Sequence, residues 1–282
     1  MSLKFFSQFL LVEEIVSEDQ LDKAVESAGV AHMTLGQLAV SAGFLTDKDA
    51  IELNQEQMKH DIPFGALAIQ KGLLTEDQLG DLITQQGRQH LALADTLVKL
   101  GFLKDDQLDG VLAAYHVARS GGHGKYLKGL DGIEKNRVAE FVVESFPRMT
   151  MRLARIHVKL DNGKGLGQAT LKPYSASIKL MGEGGIRLGL SSDGELACEI
   201  IRGMTRIMAG DEDIQFGQEK GDYEDLLGGF LDIVAGHAVA SLESEGIRLE
   251  MGTPEFSEFG STGYGFELTS TAGHAVLVIQ EL

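Results

Sequence analysis

The residues best spaced for chemistry lie in one run, Gly228-Gly229-Phe230-Leu231-Asp232-Ile233-Val234-Ala235-Gly236-His237-Ala238, within a stretch from Asp222 to about Glu245 that reads as a long helix. Positions 229 and 232 are three apart and share a helix face. Asp232 brings a carboxylate to that face, and Gly229 brings no side chain at all. Other constellations are weak. The eight histidines show no His-Glu-x-x-His spacing, and neither a Gly-x-Ser-x-Gly elbow nor a Walker A loop occurs. Gly163, Gly165 and Gly167 spell Gly-x-Gly-x-Gly, but in a strand-to-strand turn, where a phosphate cradle is not expected. The acidic run Asp211-Glu212-Asp213 reads as a solvated loop between helices. His116 and His123 read as solvated linker flanks, and His237 as packing beside Gly236. Cys198 is the only cysteine, so an internal disulfide and a Cys-based zinc site are both impossible; inside an apolar helix it is expected to be packed and inert.

Composition narrows the classes of function. Lys plus Arg number 25 and Asp plus Glu 42, a net charge of −17, which argues against nucleic acid and anionic membranes as partners. Trp is absent and aromatics are 6%, so stacking on bases is disfavoured. No run of about 18 apolar residues is evident, so no membrane span is expected. The start shows a short apolar run broken by Gln8, Glu13 and Glu14 with no small-residue cleavage site, so a cytoplasmic location is expected. A hydrophobic fraction of 43% supports a proper core, and 282 residues fit two domains.

The elements that must position these residues begin with a repeat. Ser7, Gly36, Gly65 and Ala94 are spaced by 29, as are Ser17, Thr46, Thr75 and Lys104, and Glu14, Gly43, Gly72 and Gly101. Leu21, Leu79 and Leu108 keep the step, with Ala50 the exception. In each copy a short apolar helix should stop at the glycine, which adopts positive φ, and the Ser or Thr should cap a longer helix. Ser17-Glu18-Asp19-Gln20 and Thr75-Glu76-Asp77-Gln78 match a capping box. Four copies over residues 5 to about 120 predict an all-α helical repeat array.

These letters resemble the MshEN family, the N-terminal domain of type II secretion and pilus ATPases. Thr34-Leu35-Gly36 through Gly43-Phe44-Leu45-Thr46 to Gln57, and Pro63-Phe64-Gly65 through Gly72-Leu73-Leu74-Thr75 to Gln86, follow its motif. The family's 24-residue motifs, five residues apart, give the 29-residue step of this sequence. The resemblance implies cyclic di-GMP as a ligand and Leu35, Gly36, Gln57, Phe64, Gly65 and Gln86 as its contacts. The family's leading arginine is absent, since the four copies have Phe5, Thr34, Pro63 and Ala92 there. That removes the planar donor set suited to guanine or phosphate. The segment also carries more acidic than basic residues, a poor match for a dianion.

Residues 121–132 are glycine-rich and read as a linker. From 133 to 282 the pattern changes. A helix is expected from Glu134 to about Phe146, closed by Pro147. Ile156, Val158 and Leu160 alternate as a strand. Tyr174–Leu180 and Ile186–Leu190 form a hairpin about Gly182-Glu183-Gly184-Gly185. A helix from Asp193 to Met208 and the long helix follow. Three further strands centre on Leu249, Phe266 and Leu277. Hairpins beside segregated helices make an α+β domain with an antiparallel sheet and helices on one face.

This second half resembles the CheC/CheX/FliY phosphatases of bacterial chemotaxis. The run from Gly228 to Ala238 is similar to their Gly-Glu-Ile-x-Asn-x-x-Ala-Gly-Asn-Ala, and Pro254 lies near the family's proline. There a Glu grips the partner and an Asn three residues later positions water for in-line attack on a response regulator's aspartyl phosphate. Gly229 and Asp232 occupy those two positions here, with Asp225 matching an upstream Asp/Ser. No Glu-x-x-Asn pair occurs anywhere in the chain. A carboxylate at 232 would meet phosphoryl oxygens with like charge unless a Mg²⁺ brought by a phosphorylated partner intervened. The expectation is therefore a multidomain chain with the array at 1–120 and the α+β domain at 133–282. It would act in two-component signalling as an adaptor for a receiver domain or another signalling protein. It would have no cofactor or metal of its own, and it could form oligomers. The alternatives are an aspartyl-phosphate phosphatase using Asp232 and Asp225, and a cyclic di-GMP receptor.

Overall fold

The computed structural model describes residues 3–29, 33–59, 62–120, 126–128, 130, 132–209, 219–243 and 245–282. His123 and the run Asp211-Glu212-Asp213 lie outside the described residues. The chain divides into two compact units, Met1–Arg119 and Ser120–Leu282.

The first unit is helical: α1 (Leu3–Val12), α2 (Glu18–Ala28), α3 (Leu35–Ser41), α4 (Asp47–Lys59), α5 (Phe64–Gln70), α6 (Glu76–Lys99) and α7 (Asp105–Ser120). Its local geometry recurs with the sequence period. The N–H groups of Ile15, Phe44, Leu73 and Phe102 donate to the carbonyls of Leu10, Ala39, Ala68 and Leu97, each at 2.9 Å. These are the six-to-one bonds of a Schellman stop, with left-handed residues at Gly43 (φ 72°), Gly72 (φ 69°) and Gly101 (φ 72°). The first copy makes the same stop with Glu14 at φ 54°, without a glycine. Reciprocal capping boxes form at Ser17/Gln20 and Thr75/Gln78, and a third at Thr34/Gln37. At Thr46 the reciprocal partner is Asp49, whose carboxyl is held below the usual range by the Thr46 hydroxyl and N–H.

The copies do not stack in series as a simple array would. Phe6, Phe9, Leu10 and Leu21 of the first copy share one core with Leu93, Leu97, Leu103 and Tyr115 of the fourth. Leu38, Leu45 and Leu53 of the second share another with Leu67, Leu74 and Leu82 of the third. The joint between copies three and four explains part of this. Gly29, at φ 60°, and Pro63 break the chain between earlier copies. At the next joint Gly87, two 29-residue steps after Gly29, does not take a positive φ and no proline follows it, and α6 runs unbroken for 24 residues through both copies.

The second unit comprises α8 (Arg137–Ala154), β1 (Lys159–Leu160), β2 (Lys164–Gly165), a short 3-10 turn (Leu166–Gln168), β3 (Tyr174–Gly182), β4 (Ile186–Ser192), α9 (Gly194–Ala209), α10 (Lys220–Glu243), β5 (Leu249–Met251), β6 (Tyr264–Ser270) and β7 (Gly273–Glu281). The sheet is antiparallel in the order β1-β6-β7-β4-β3-β5, with β2 also on β6. α10 packs on β3, β4 and β5, α9 on β7, and α8 against both helices.

Several local expectations are corrected. α8 does not close at Pro147 but continues through it to Ala154. The Ser145 hydroxyl donates to the Val142 carbonyl, and the Thr150 hydroxyl to those of Phe146 and Pro147, around the residue that lacks an N–H. Burial of Val142, Val143, Phe146, Met149 and Leu153 on the same helix outweighs the break. Ile156, His157 and Val158 are all buried, so the expected alternation fails and only Lys159–Leu160 pairs as strand. Tyr126 and Leu127, expected in a linker, belong to the second unit: Leu127 is buried, and the Tyr126 carbonyl accepts from the Gly163 N–H. Gly163 itself is a packing glycine, because a Cβ there would lie 2.5 Å from Leu130 and Phe266 side-chain atoms. The closest approach in the fold is at Gly203, where a Cβ would come within 1.8 Å of the Ala154 carbonyl oxygen. Among the described residues one helix, α10, is long and apolar enough to cross a membrane by length and composition alone. Half of that window is buried against the rest of its unit.

Candidate functional site on the long helix

α10 has one side turned to the core. Leu227, Phe230, Leu231, Val234, Ala235, Ala238 and Leu242 are buried, and Phe230 meets Phe146 edge-on with ring centroids 5.8 Å apart. The opposite side displays Asp225, Gly229 and Asp232, all exposed, at i, i+4 and i+7. Neither carboxylate has an ion-pair or hydrogen-bond partner among the described residues. The structure thus brings all three residues singled out in the sequence onto one open face.

The two adjacent glycines differ in cause. A Cβ on Gly228 would lie 3.0 Å from the Phe256 ring and 3.1 Å from Pro254 Cβ, so that position is small because the chain after β5 crosses it. A Cβ on Gly229 would meet nothing within 4 Å. A glycine inside a helix costs about 1 kcal/mol against alanine, and here no intramolecular contact offsets it. Two turns further on, His237 is buried with Nδ1 3.4 Å from the Ser241 hydroxyl. Gly236 faces the Met251 sulfur at 3.9 Å from its notional Cβ. Cys198 is less enclosed than expected: it is half-buried, with its thiol 3.5 Å from the Tyr223 hydroxyl. Among the described residues no group of three or more His, Cys, Asp or Glu side chains is placed to hold a metal ion.

Sequence reasoning missed the residues that frame this face. Phe256 is 44% exposed and Met251 40%, large apolar groups beside Gly228 and Gly236. The available signal was Phe256 itself, a lone aromatic in the polar run Pro254-Glu255-Phe256-Ser257-Glu258. That segment is anchored on β3 and β4. Glu255 exchanges two backbone bonds with Ser177, and its side chain accepts from Lys179 Nζ at 2.6 Å, which lowers its pKa. Arg187 reaches Ser257 at 2.6 Å.

In the first unit the motif positions face their own chain. A Cβ on Gly36 would lie 3.2 Å from the Phe64 ring, and one on Gly65 2.5 Å from Leu79. Gln57 Nε2 donates to the Ile62 carbonyl at 2.7 Å, bracing the link into the third copy. Gln86 is buried, and Leu35 and Phe64 are half-buried against the second core.

No protein-family model matches the sequence, and no curated protein matches it either. About half of the chain is similar to solved chemotaxis proteins. The chemotaxis protein CheX of Desulfovibrio desulfuricans is 15% identical over 51% of this chain and 99% of its own, with a TM-score of 0.41. CheX of Vibrio vulnificus is 18% identical over 50% and 96%, with a TM-score of 0.40. The CheX-CheY-BeF3-Mg²⁺ complex of Borrelia burgdorferi aligns at 16% identity over 50% and 97%, with a TM-score of 0.35.

Proposed function

We propose that the second unit is a CheX-like docking module of a signal-transduction pathway, which engages a response-regulator receiver domain through the outer face of α10 without hydrolysing its aspartyl phosphate. One observation carries the reading: Asp225, Gly229 and Asp232 share an exposed helix face on which the water-positioning amide and the partner-gripping glutamate of the resembling family are both missing. A carboxamide donates and accepts, so it can orient a water and tolerate phosphoryl oxygens together. An ionised carboxylate only accepts and repels them. Dephosphorylation of a receiver is then expected to proceed at the receiver's own rate in the presence of this protein. Binding of the beryllofluoride-loaded receiver, followed by calorimetry, is expected to proceed regardless. Accelerated phosphate release would establish the phosphatase reading instead. In the first unit, the packing of Gly36 and Gly65 against Phe64 and Leu79 and the Gln57 bond to the Ile62 carbonyl support a structural role for these residues over contact with cyclic di-GMP.

A further inference from the structure

The outer face of α10 continues beyond Asp232 into a groove of about 440 Å³, formed by Val239 and Glu243 of α10, Met181 at the end of β3, and Arg248, Leu249 and Glu250 at the edge strand. Phe256 beside Gly228 and Met251 beside Gly236 mark two apolar points along the helix. Eight residues at 1.5 Å rise put them about 12 Å apart. Next to the Phe256 point the surface is low, because Gly229 has no side chain and no neighbour within 4 Å of its notional Cβ. Four carboxylates, Asp225, Asp232, Glu243 and Glu250, face one guanidinium, Arg248, and none of the five has a hydrogen-bond or ion-pair partner among the described residues.

We infer that this face is a groove for a basic, amphipathic helix of a partner protein. Two apolar side chains of that helix seat by Phe256 and by Met251, its backbone crosses close over Gly229, and its Lys or Arg residues meet the acidic rim. A glycine at the crossing lets two helix axes come nearer than ordinary side chains allow. An unpaired acidic rim around exposed apolar groups complements a cationic amphipathic segment. The inference rests on the reading of α10's outer face as the docking face but does not need the occupant to be a phosphorylated receiver.

The probe is a synthetic Leu/Lys amphipathic helix, with its Leu/Glu counterpart as control, titrated into the full chain at 0.15 M salt. The Leu/Lys helix is expected to bind and the Leu/Glu helix not. Asp232→Lys with Glu243→Lys should weaken binding at least tenfold, as should Gly229→Gln, whose fold is checked by circular dichroism. Because the whole chain is acidic, Asp22→Lys with Asp95→Lys, two exposed positions of the first unit, controls for non-specific attraction and should change affinity less than twofold. Equal losses in both charge-reversal pairs, wild-type binding by Gly229→Gln, or equal binding of the Leu/Glu helix would each overturn the inference. Self-association abolished by Gly229→Gln would also overturn it, assigning the groove to a second copy. If the Leu/Lys helix binds as described and the beryllofluoride-loaded receiver does not, the receiver reading falls and the groove stands; the reverse result sinks the groove alone.

Discussion

Residues that match a ligand motif have opposite surroundings in the two units. In the first, Gly36 and Gly65 are small because Phe64 and Leu79 press on them, and Gln57 is tied to the Ile62 carbonyl. On α10, Gly229 is small with nothing pressing on it, and Asp225 and Asp232 stand unpaired in solvent. A motif letter whose neighbour is its own chain is explained by packing. One that breaks a helix rule with no neighbour needs something outside the chain. The two motif matches in the first unit are more regular, yet the irregular run on α10 says more about binding.

The largest effect that separates packed from open glycines is expected at Gly203. An added Cβ would fall 1.8 Å from the Ala154 carbonyl oxygen, a backbone atom that cannot rotate away. Gly203→Ala must therefore push α9 from α8 and should remove about 3 kcal/mol from the second unit. Urea unfolding followed by circular dichroism measures it; a loss under about 1 kcal/mol would show that the α8–α9 contact is looser than described.

Acid should act on the second unit through His157 with nearly the same size. The residue is 3% exposed between α8 and β1, and burial pushes its imidazole down from 6.5 to about 4. Between these values the unfolded chain binds the proton and the folded chain does not. The stabilisation is complete above pH 6.5 and is lost as pH falls toward 4, a total of about 3 kcal/mol. His157→Gln should flatten this part of the stability profile. A difference between variant and wild type that stays constant from pH 7 to 4 would remove His157 as its source.

How far the sequence discloses these environments depends on the range of the forces involved. The repeat, its caps and the glycine stops are set by neighbours within six residues and can be read from letters. So can the hairpin at Gly182–Gly185, where β3 and β4 pair from Tyr174 to Leu180 as the alternation implies. The pairing of copy one with copy four, the continuation of α8 through Pro147 and the burial of His157 are decided by tertiary packing that no local letter encodes. On the candidate face, Asp225, Gly229 and Asp232 were legible from helical spacing. Phe256, Met251 and the groove were not, because Phe256 arrives from a segment folded back after β5, and Met251 and the groove's far wall come from β5 and the end of β3, brought to α10 by tertiary packing.

A smaller effect compares the two kinds of glycine directly. Gly229→Ala adds helix propensity with no clash and should raise the stability of the second unit by about 1 kcal/mol. Gly65→Ala gains the same propensity but drives a methyl into Leu79, and should lower the stability of the first unit by about 1 kcal/mol. Opposite signs in thermal unfolding are expected. A stabilising Gly65→Ala would mean that Leu79 can turn aside, leaving that glycine as unexplained as Gly229.

The smallest effect tests the regularity of the first unit itself. Glu14 holds the left-handed position that Gly43, Gly72 and Gly101 hold in the other copies, at φ 54° and exposed, with its N–H on the Leu11 carbonyl at 3.0 Å. An L-residue with a Cβ is strained there by about 1–2 kcal/mol, and glycine regains most of that while losing chain entropy on folding. Glu14→Gly should therefore stabilise the first unit by about 0.5–1 kcal/mol. Glu14→Ala is the discriminating control, because it removes the charge but keeps the Cβ, and it should give no gain. If both variants stabilise equally, the relevant change is loss of a carboxylate in a chain of net charge −17 rather than relief of the backbone. If only glycine does, the first copy folds by the same Schellman stop as the others and tolerates the wrong residue in it, because the bond from Ile15 to the Leu10 carbonyl and the core shared with the fourth copy hold the turn in place.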